Sequence, residues 1–214
     1  MVISIATRRL VAAFAIGVIG IAEPLLAQTF YQANPTGSFY RTSSETPAAP
    51  IVISLADYLG ATVLSLKPRG QLQVAGSGSP VHDAVFCAVF SSSNTLLGSG
   101  VQQRVPGALA SSATINSPCV TGNTFYGGVP TNLAEDFFVP FAGLEVAVPT
   151  GANYLFVSVF DDFYSDNVSP NPALYGVEVT GTTKVPEPST MLLLGTGLAA
   201  LAAAHRARRT AAGK

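Results

Sequence analysis

Between residues 51 and 180 the apolar side chains come in short runs separated by clusters of Gly, Pro, Asn and Ser. Leu144, Val146 and Val148 alternate with Glu145 and Ala147, and Val177 and Val179 flank Glu178. That period of two belongs to a strand with one buried and one wet face. The run Tyr154-Leu155-Phe156-Val157-Ser158-Val159-Phe160 is apolar on nearly both faces and predicts a central strand. Further strands are expected over 51–56, 62–66, 71–75, 84–90, 143–148 and 175–180. Phe137, Phe138 and Phe141 read as core aromatics on an entering strand. No long amphipathic helix and no internal repeat interrupts the pattern. The fold class predicted is all-β, a single antiparallel β-sandwich or jelly roll over 51–182, preceded by an irregular, proline-containing lead-in over 28–50.

The two ends of the chain follow a different pattern. Arg8 and Arg9 precede an apolar run from Leu10 to Ile21, and small residues follow up to Ala27. A basic flank, a short apolar stretch and a small-residue exit make residues 1–27 a secretory signal peptide, cut before Gln28 or, alternatively, after Ala22. Near the other end, Met191 to Ala204 is an apolar run of fourteen residues. As a helix it would reach about 21 Å, short of a hydrocarbon core of about 30 Å. Arg206, Arg208 and Arg209 follow it and would stay on the cytoplasmic side while the body lies outside. Upstream, Pro186-Glu187-Pro188 cannot enter a helix and offers an extended, accessible segment.

A Pro-Glu-Pro motif, an apolar run and a basic tail in that order, over 185–209 and ahead of the last five residues 210–214, resemble the PEP-CTERM sorting signal of Gram-negative bacteria. The resemblance implies recognition of Pro186, Glu187 and Pro188 by an exosortase, a membrane cysteine transpeptidase. It also implies transient retention in the inner membrane on a short transmembrane helix, and removal of the tail. Export to the cell surface or extracellular matrix would follow, with a structural role beside exopolysaccharide in a biofilm.

Charge separates the body from its ends. Residues 28–185 carry five basic side chains against ten acidic ones, a net charge of −5 that the whole-chain value of −1 conceals. A mildly acidic body without clustered Lys and Arg argues against nucleic-acid binding. Its two cysteines, Cys87 and Cys119, fall in the exported part, one in the apolar run 85–90 and one in a Ser- and Gly-rich loop. In an oxidising compartment a disulfide between them would close a long excursion, worth roughly 3 to 4 kcal/mol in the chain-entropy model. The alternative is a buried free thiol at Cys87. His82, the one histidine of the body, stands beside Asp83, but no G-x-S-x-G elbow supplies a nucleophile, and the chain is not expected to be an enzyme.

The stretch with most chemistry is Asp161-Asp162-Phe163-Tyr164-Ser165-Asp166-Asn167, directly after the central strand. Three carboxylates and an amide are hard oxygen ligands of the kind calcium takes. The spacing is not that of an EF-hand, since Tyr164 stands at a ligand slot and the required glycine is absent. Three readings stay open: a solvated turn in which Asp and Asn bond their own backbone, a calcium site, and acid–base catalysis. Adjacent Asp161 and Asp162 would point to opposite faces of an extended chain, which disfavours the third.

The segment from Val148-Pro149-Thr150-Gly151-Ala152 through Leu155-Phe156 to Asp162, Tyr164, Asp166 and Asn167 resembles a stretch shared by exported PEP-CTERM proteins and, more remotely, the calcium-dependent galactophilic lectin β-sandwich. By position the resemblance implies calcium at Asp162, Asp166 and Asn167, and a lectin-like contact with extracellular polysaccharide. The chain departs from that pattern at Asp161, where Asn is usual, and at 168–173, where a Ser-Gly is replaced.

Overall fold

The computed structural model describes residues 28–98, 104–111, 119 and 124–182, with Gly197, Leu198 and Leu201. Among the described residues thirteen strands run in chain order: β1 (Gln28–Gln32), β2 (Ile51–Ser54), β3 (Val63–Arg69), β4 (Gln71–Leu72), β5 (His82–Asp83), β6 (Phe86–Ser91), β7 (Ala108–Leu109), β8 (Phe125–Tyr126), β9 (Val129–Pro130), β10 (Phe137–Val139), β11 (Leu144–Ala147), β12 (Tyr154–Val159) and β13 (Gly176–Thr182). One antiparallel sheet has the order β1-β13-β3-β11 and the other β10-β6-β12-β2, with β7 paired to the end of β6. The pairs β4-β5 and β8-β9 are separate small ribbons. The two main sheets pack around one core, so the all-β sandwich expected from the alternation is the observed fold.

The register explains the pattern. On the first sheet Leu64, Leu66, Val146, Val177 and Val179 share the inner face, while Ser65, Lys67, Arg69, Glu145, Glu178 and Thr180 share the outer one. On the second sheet Phe86, Ala88, Phe90, Leu155, Val157 and Ile53 form the face toward the first sheet, with Phe86 against Tyr175 at 5.3 Å between ring centroids. Its opposite face, carrying Cys87, Val89, Phe156 and Ser158, is buried as well. There Ser158 donates to Ser38 at 2.9 Å, and Cys87 is bonded to Cys119. The central strand is therefore apolar on both sides because both sides are covered; full burial of Phe156 alone is worth about 1.5–3 kcal/mol.

The cover is the segment expected as an irregular lead-in. It opens on an edge strand, β1, whose Gln28 lies opposite Thr180 and whose Gln32 lies opposite Gly176. It then buries Ser38, Phe39 and Tyr40 completely, with Phe39 and Tyr40 in the core cluster. The run expected as a strand over 71–75 shrinks to the two residues of β4, after which the chain turns through Gly76 and Gly78, both at positive φ. Among the described residues no helix is long and apolar enough to cross a membrane. The signal peptide 1–27, Pro186, Glu187, Pro188 and most of the apolar run 191–204 lie outside the described residues.

The expected disulfide is present, joining Cys87 of β6 to Cys119 across 32 residues with a Cα–Cα distance of 5.6 Å. Beside it the Asp136 carboxylate, buried, accepts the Cys119 backbone N–H at 2.7 Å through Oδ1 and the Tyr40 hydroxyl through Oδ2. The Tyr40 hydroxyl also lies 3.3 Å from the Cys119 carbonyl. Burial pushes the Asp136 carboxyl up to about 7, against the two backbone hydrogen bonds that favour its charged form.

Candidate functional site

The acidic loop leaves β12 at Phe160 and is held from three directions. Asp161 Oδ1 accepts the backbone N–H groups of Asp162 at 2.7 Å and Phe163 at 3.3 Å, the local turn that Asp favours. Glu45, from the lead-in, accepts the Tyr164 backbone N–H at 2.6 Å and the Ser165 hydroxyl at 2.5 Å. An isolated bridge then ties Val168 to Gln73, with both N–H groups donating across at 2.8 and 3.0 Å. The loop is thus a fixed element of the fold, and its partner Glu45 comes from a segment 119 residues away.

The residues nominated by sequence do not share one environment. Asn167 is buried at 5 % exposure, Asp162 is half-buried and Asp166 is exposed. Among the described residues no three His, Cys, Asp or Glu side chains form a group that can hold a metal ion. What the loop concentrates instead is unsatisfied polarity. Asp161 Oδ2, both side-chain atoms of Asn167, and the hydroxyls of Tyr164, Ser169 and Tyr175 are buried with no hydrogen-bond partner among the described residues. Native interiors pair such groups with protein, water or an ion. Burial raises the Asp161 carboxyl above its ordinary value, opposed by the two backbone N–H groups, and raises both tyrosines, with Asp161 adding repulsion to each.

Against a calcium ion the donor set fits in part. Asn167 and Asp161 bring oxygens that lack partners, whereas Asp166 stays in solvent. Asp161, outside the set drawn from the resemblance, is the carboxylate the fold buries half-satisfied. Of its neighbours, Tyr164 entered only as the loop tyrosine of the resemblance, and Ser169 and Tyr175 lay outside it; for the two tyrosines the available signal was an aromatic ring inside an otherwise polar stretch, where it must find a core. Alongside, Asp161 lines a depression of about 500 Å³ with Leu72, Val74, His82, Asp83 and Phe160. The His82-Asp83 pair is exposed on β5, and the fold supplies no serine or cysteine nucleophile among the residues lining that depression.

No curated protein and no solved structure matches the chain. A family model does match, over residues 184–209, and it is the PEP-CTERM protein-sorting motif. It begins two residues after β13 ends at Thr182 and contains Pro186, Glu187 and Pro188. The chain therefore carries a PEP-CTERM sorting motif at its C-terminal end, which implies an exported protein with an exosortase as its processing partner.

Proposed function

We propose that the processed chain is a structural component of the cell surface or extracellular matrix of a Gram-negative bacterium, associated with exopolysaccharide in a biofilm. The observation that carries this reading is the sorting motif at 184–209, placed directly after a disulfide-tied all-β body. During export the apolar run 191–204 retains the chain transiently in the inner membrane, with the arginines beyond it on the cytoplasmic side. Exosortase then removes the tail near Pro186, Glu187 and Pro188. The body, at net charge −5, is mildly acidic and meets polymer without catalysis. Intact mass spectrometry of the protein from its own host tests the processing. The expected mass ends near residues 186–189, with the intact tail present only in a strain lacking the exosortase. A C-terminus through Lys214 in the normal strain would sink the reading.

A second reading, a calcium-dependent carbohydrate-binding module, is favoured by one observation, the buried and unpartnered oxygens of the acidic loop. Of the nominated residues Asn167 would supply a buried ligand and Asp162 a half-buried one, with Asp161 Oδ2 beside them. Asp166 would have to close from solvent. A bound calcium would neutralise the loop carboxylates and offer coordination to sugar hydroxyls.

A further inference from the structure

The outer face of the first sheet holds a second feature, remote in sequence from the acidic loop. A depression of about 300 Å³ is lined by Phe30 of β1, Arg69 and Gly70 at the end of β3, Glu178 of β13, and Ala173 and Leu174 of the short 3₁₀ turn before β13. That is the lower end of the range for small-molecule sites. Two glycines shape it. A Cβ on Gly176 would come within 2.8 Å of Phe30 Cζ, so the ring lies down on the sheet above a residue without a side chain. Gly70 has φ +82°, and a Cβ there would meet the Leu174 carbonyl at 2.6 Å, so the turn carrying Ala173 and Leu174 closes tightly onto the end of β3. Phe30 at 39 % and Leu174 at 59 % exposure leave an aromatic and an aliphatic wall open to solvent.

Between the walls stand paired charges with bonding capacity to spare. Glu178 Oε2 accepts from Arg69 Nη2 at 2.5 Å and from Gln28 Nε2 at 3.0 Å, while Oε1 has no hydrogen bond among the described residues. Arg69 uses one of its five N–H donors. Arg69 holds the Glu178 carboxyl below its ordinary value, so the pair is ionised at neutral pH. Its charges cancel, and Lys67, opposite Glu178 on the same face, spends its ammonium on the Ala142 carbonyl at 2.9 Å. A neutral ligand can use the remaining donors and acceptor without adding an uncompensated charge beside the pair. The unspent guanidinium donors and the unspent carboxylate oxygen sit side by side, as two adjacent hydroxyls need, one accepting and the other donating. The Phe30 ring and Leu174 meanwhile suit the C–H face of the same ring.

We propose that this depression is a binding site for a neutral pyranose unit bearing a vicinal diol, and that Phe30, Arg69, Glu178 and Leu174 form its walls. This rests on the reading that the body contacts extracellular polysaccharide and names the surface that does so, apart from the acidic loop.

Affinity electrophoresis of the full chain in native gels containing galactomannan or dextran, with alginate as the charged comparison, tests it. Retardation by at least one neutral polymer is expected, with little by alginate. Phe30→Ala and Glu178→Ala should each weaken it about tenfold or more, and Leu174→Ala less. Phe30→Tyr, which keeps the ring, should restore it, and unchanged melting temperatures show that the exposed-face variants are folded. Retardation that survives Phe30→Ala and Glu178→Ala but is lost in Asp162→Ala or with chelator overturns the pocket and leaves the polymer reading standing at the acidic loop. No retardation by any polymer overturns both.

Discussion

Two buried polar regions of the body are finished differently. Around Cys119 the Asp136 carboxylate receives Tyr40 and the Cys119 amide, and Thr131 both donates to the carbonyl of Arg41 and accepts the Arg41 amide. Around Asp161 one carboxylate oxygen is used by two amides, while the other, the Asn167 amide and three hydroxyls have no partner among the described residues. The first region spends its polar groups on holding a long excursion against β6. The second keeps them in reserve, and a buried reserve of hydrogen bonding costs stability unless something occupies it.

Three experiments press on that contrast, from the largest effect down. Replacing Cys119 by Ser removes the covalent tie but keeps the backbone amide that Asp136 accepts. The variant should lose roughly 3 to 4 kcal/mol of unfolding free energy in urea titrations. A loss below about 1 kcal/mol would mean that the Asp136 network, and not the disulfide, holds the excursion.

Protonation separates the regions next. Asp136 binds its proton more tightly in the folded chain, at about 7, than in the unfolded one, near 4. Its contribution to stability is therefore fully present below about pH 4 and is lost as the pH rises through 7, each unit being worth about 1.4 kcal/mol. Asp136→Asn should flatten the fall in melting temperature across that window and melt above the wild type at pH 7.5. A wild-type melting temperature that climbs steadily from pH 4 to 7 would contradict this.

The smallest effect falls on the open region. Asp161→Asn keeps the Oδ1 acceptor for both amides and removes a half-satisfied buried charge, so in metal-free buffer the variant should melt slightly above the wild type, by about 1 kcal/mol. The calcium-dependent reading requires that added calcium raise the wild type by mass action and leave the variant unmoved. Equal behaviour of the two with calcium and with chelator would remove the cation from the acidic loop.

How far the sequence reached depended on whether the decisive contact was local. β12 was legible because burial on both faces leaves a run with one hydroxyl, Ser158, in its interior. β11 and β13 were legible because one wet face enforces alternation. β1 was not, since Gln28, Thr29 and Gln32 carry no apolar period, and its strand state comes from pairing with β13 about 150 residues on. The burial of Tyr40 depends likewise on Asp136 and Cys119, both far along the chain. At the acidic loop the composition announced oxygen ligands but not their directions. The turn made by Asp161 over its own amides, and the anchoring of Tyr164 by Glu45, decide which oxygens point inward, and neither can be read from spacing. The Phe30 depression had no signature, because its walls come from three strands and a turn spread over the whole body.

The pairing of Gln28 with Thr180 has a mechanical consequence. The first described strand starts where the last one finishes, so the start of β1 and the end of β13 stand at one corner of the body. A pull applied beyond Thr182 would run into β13, an interior strand bonded to β1 on one side and β3 on the other. A pull along its axis loads those rungs together in shear instead of peeling them one by one. The strand such a pull would load is the one its sheet grips on both sides.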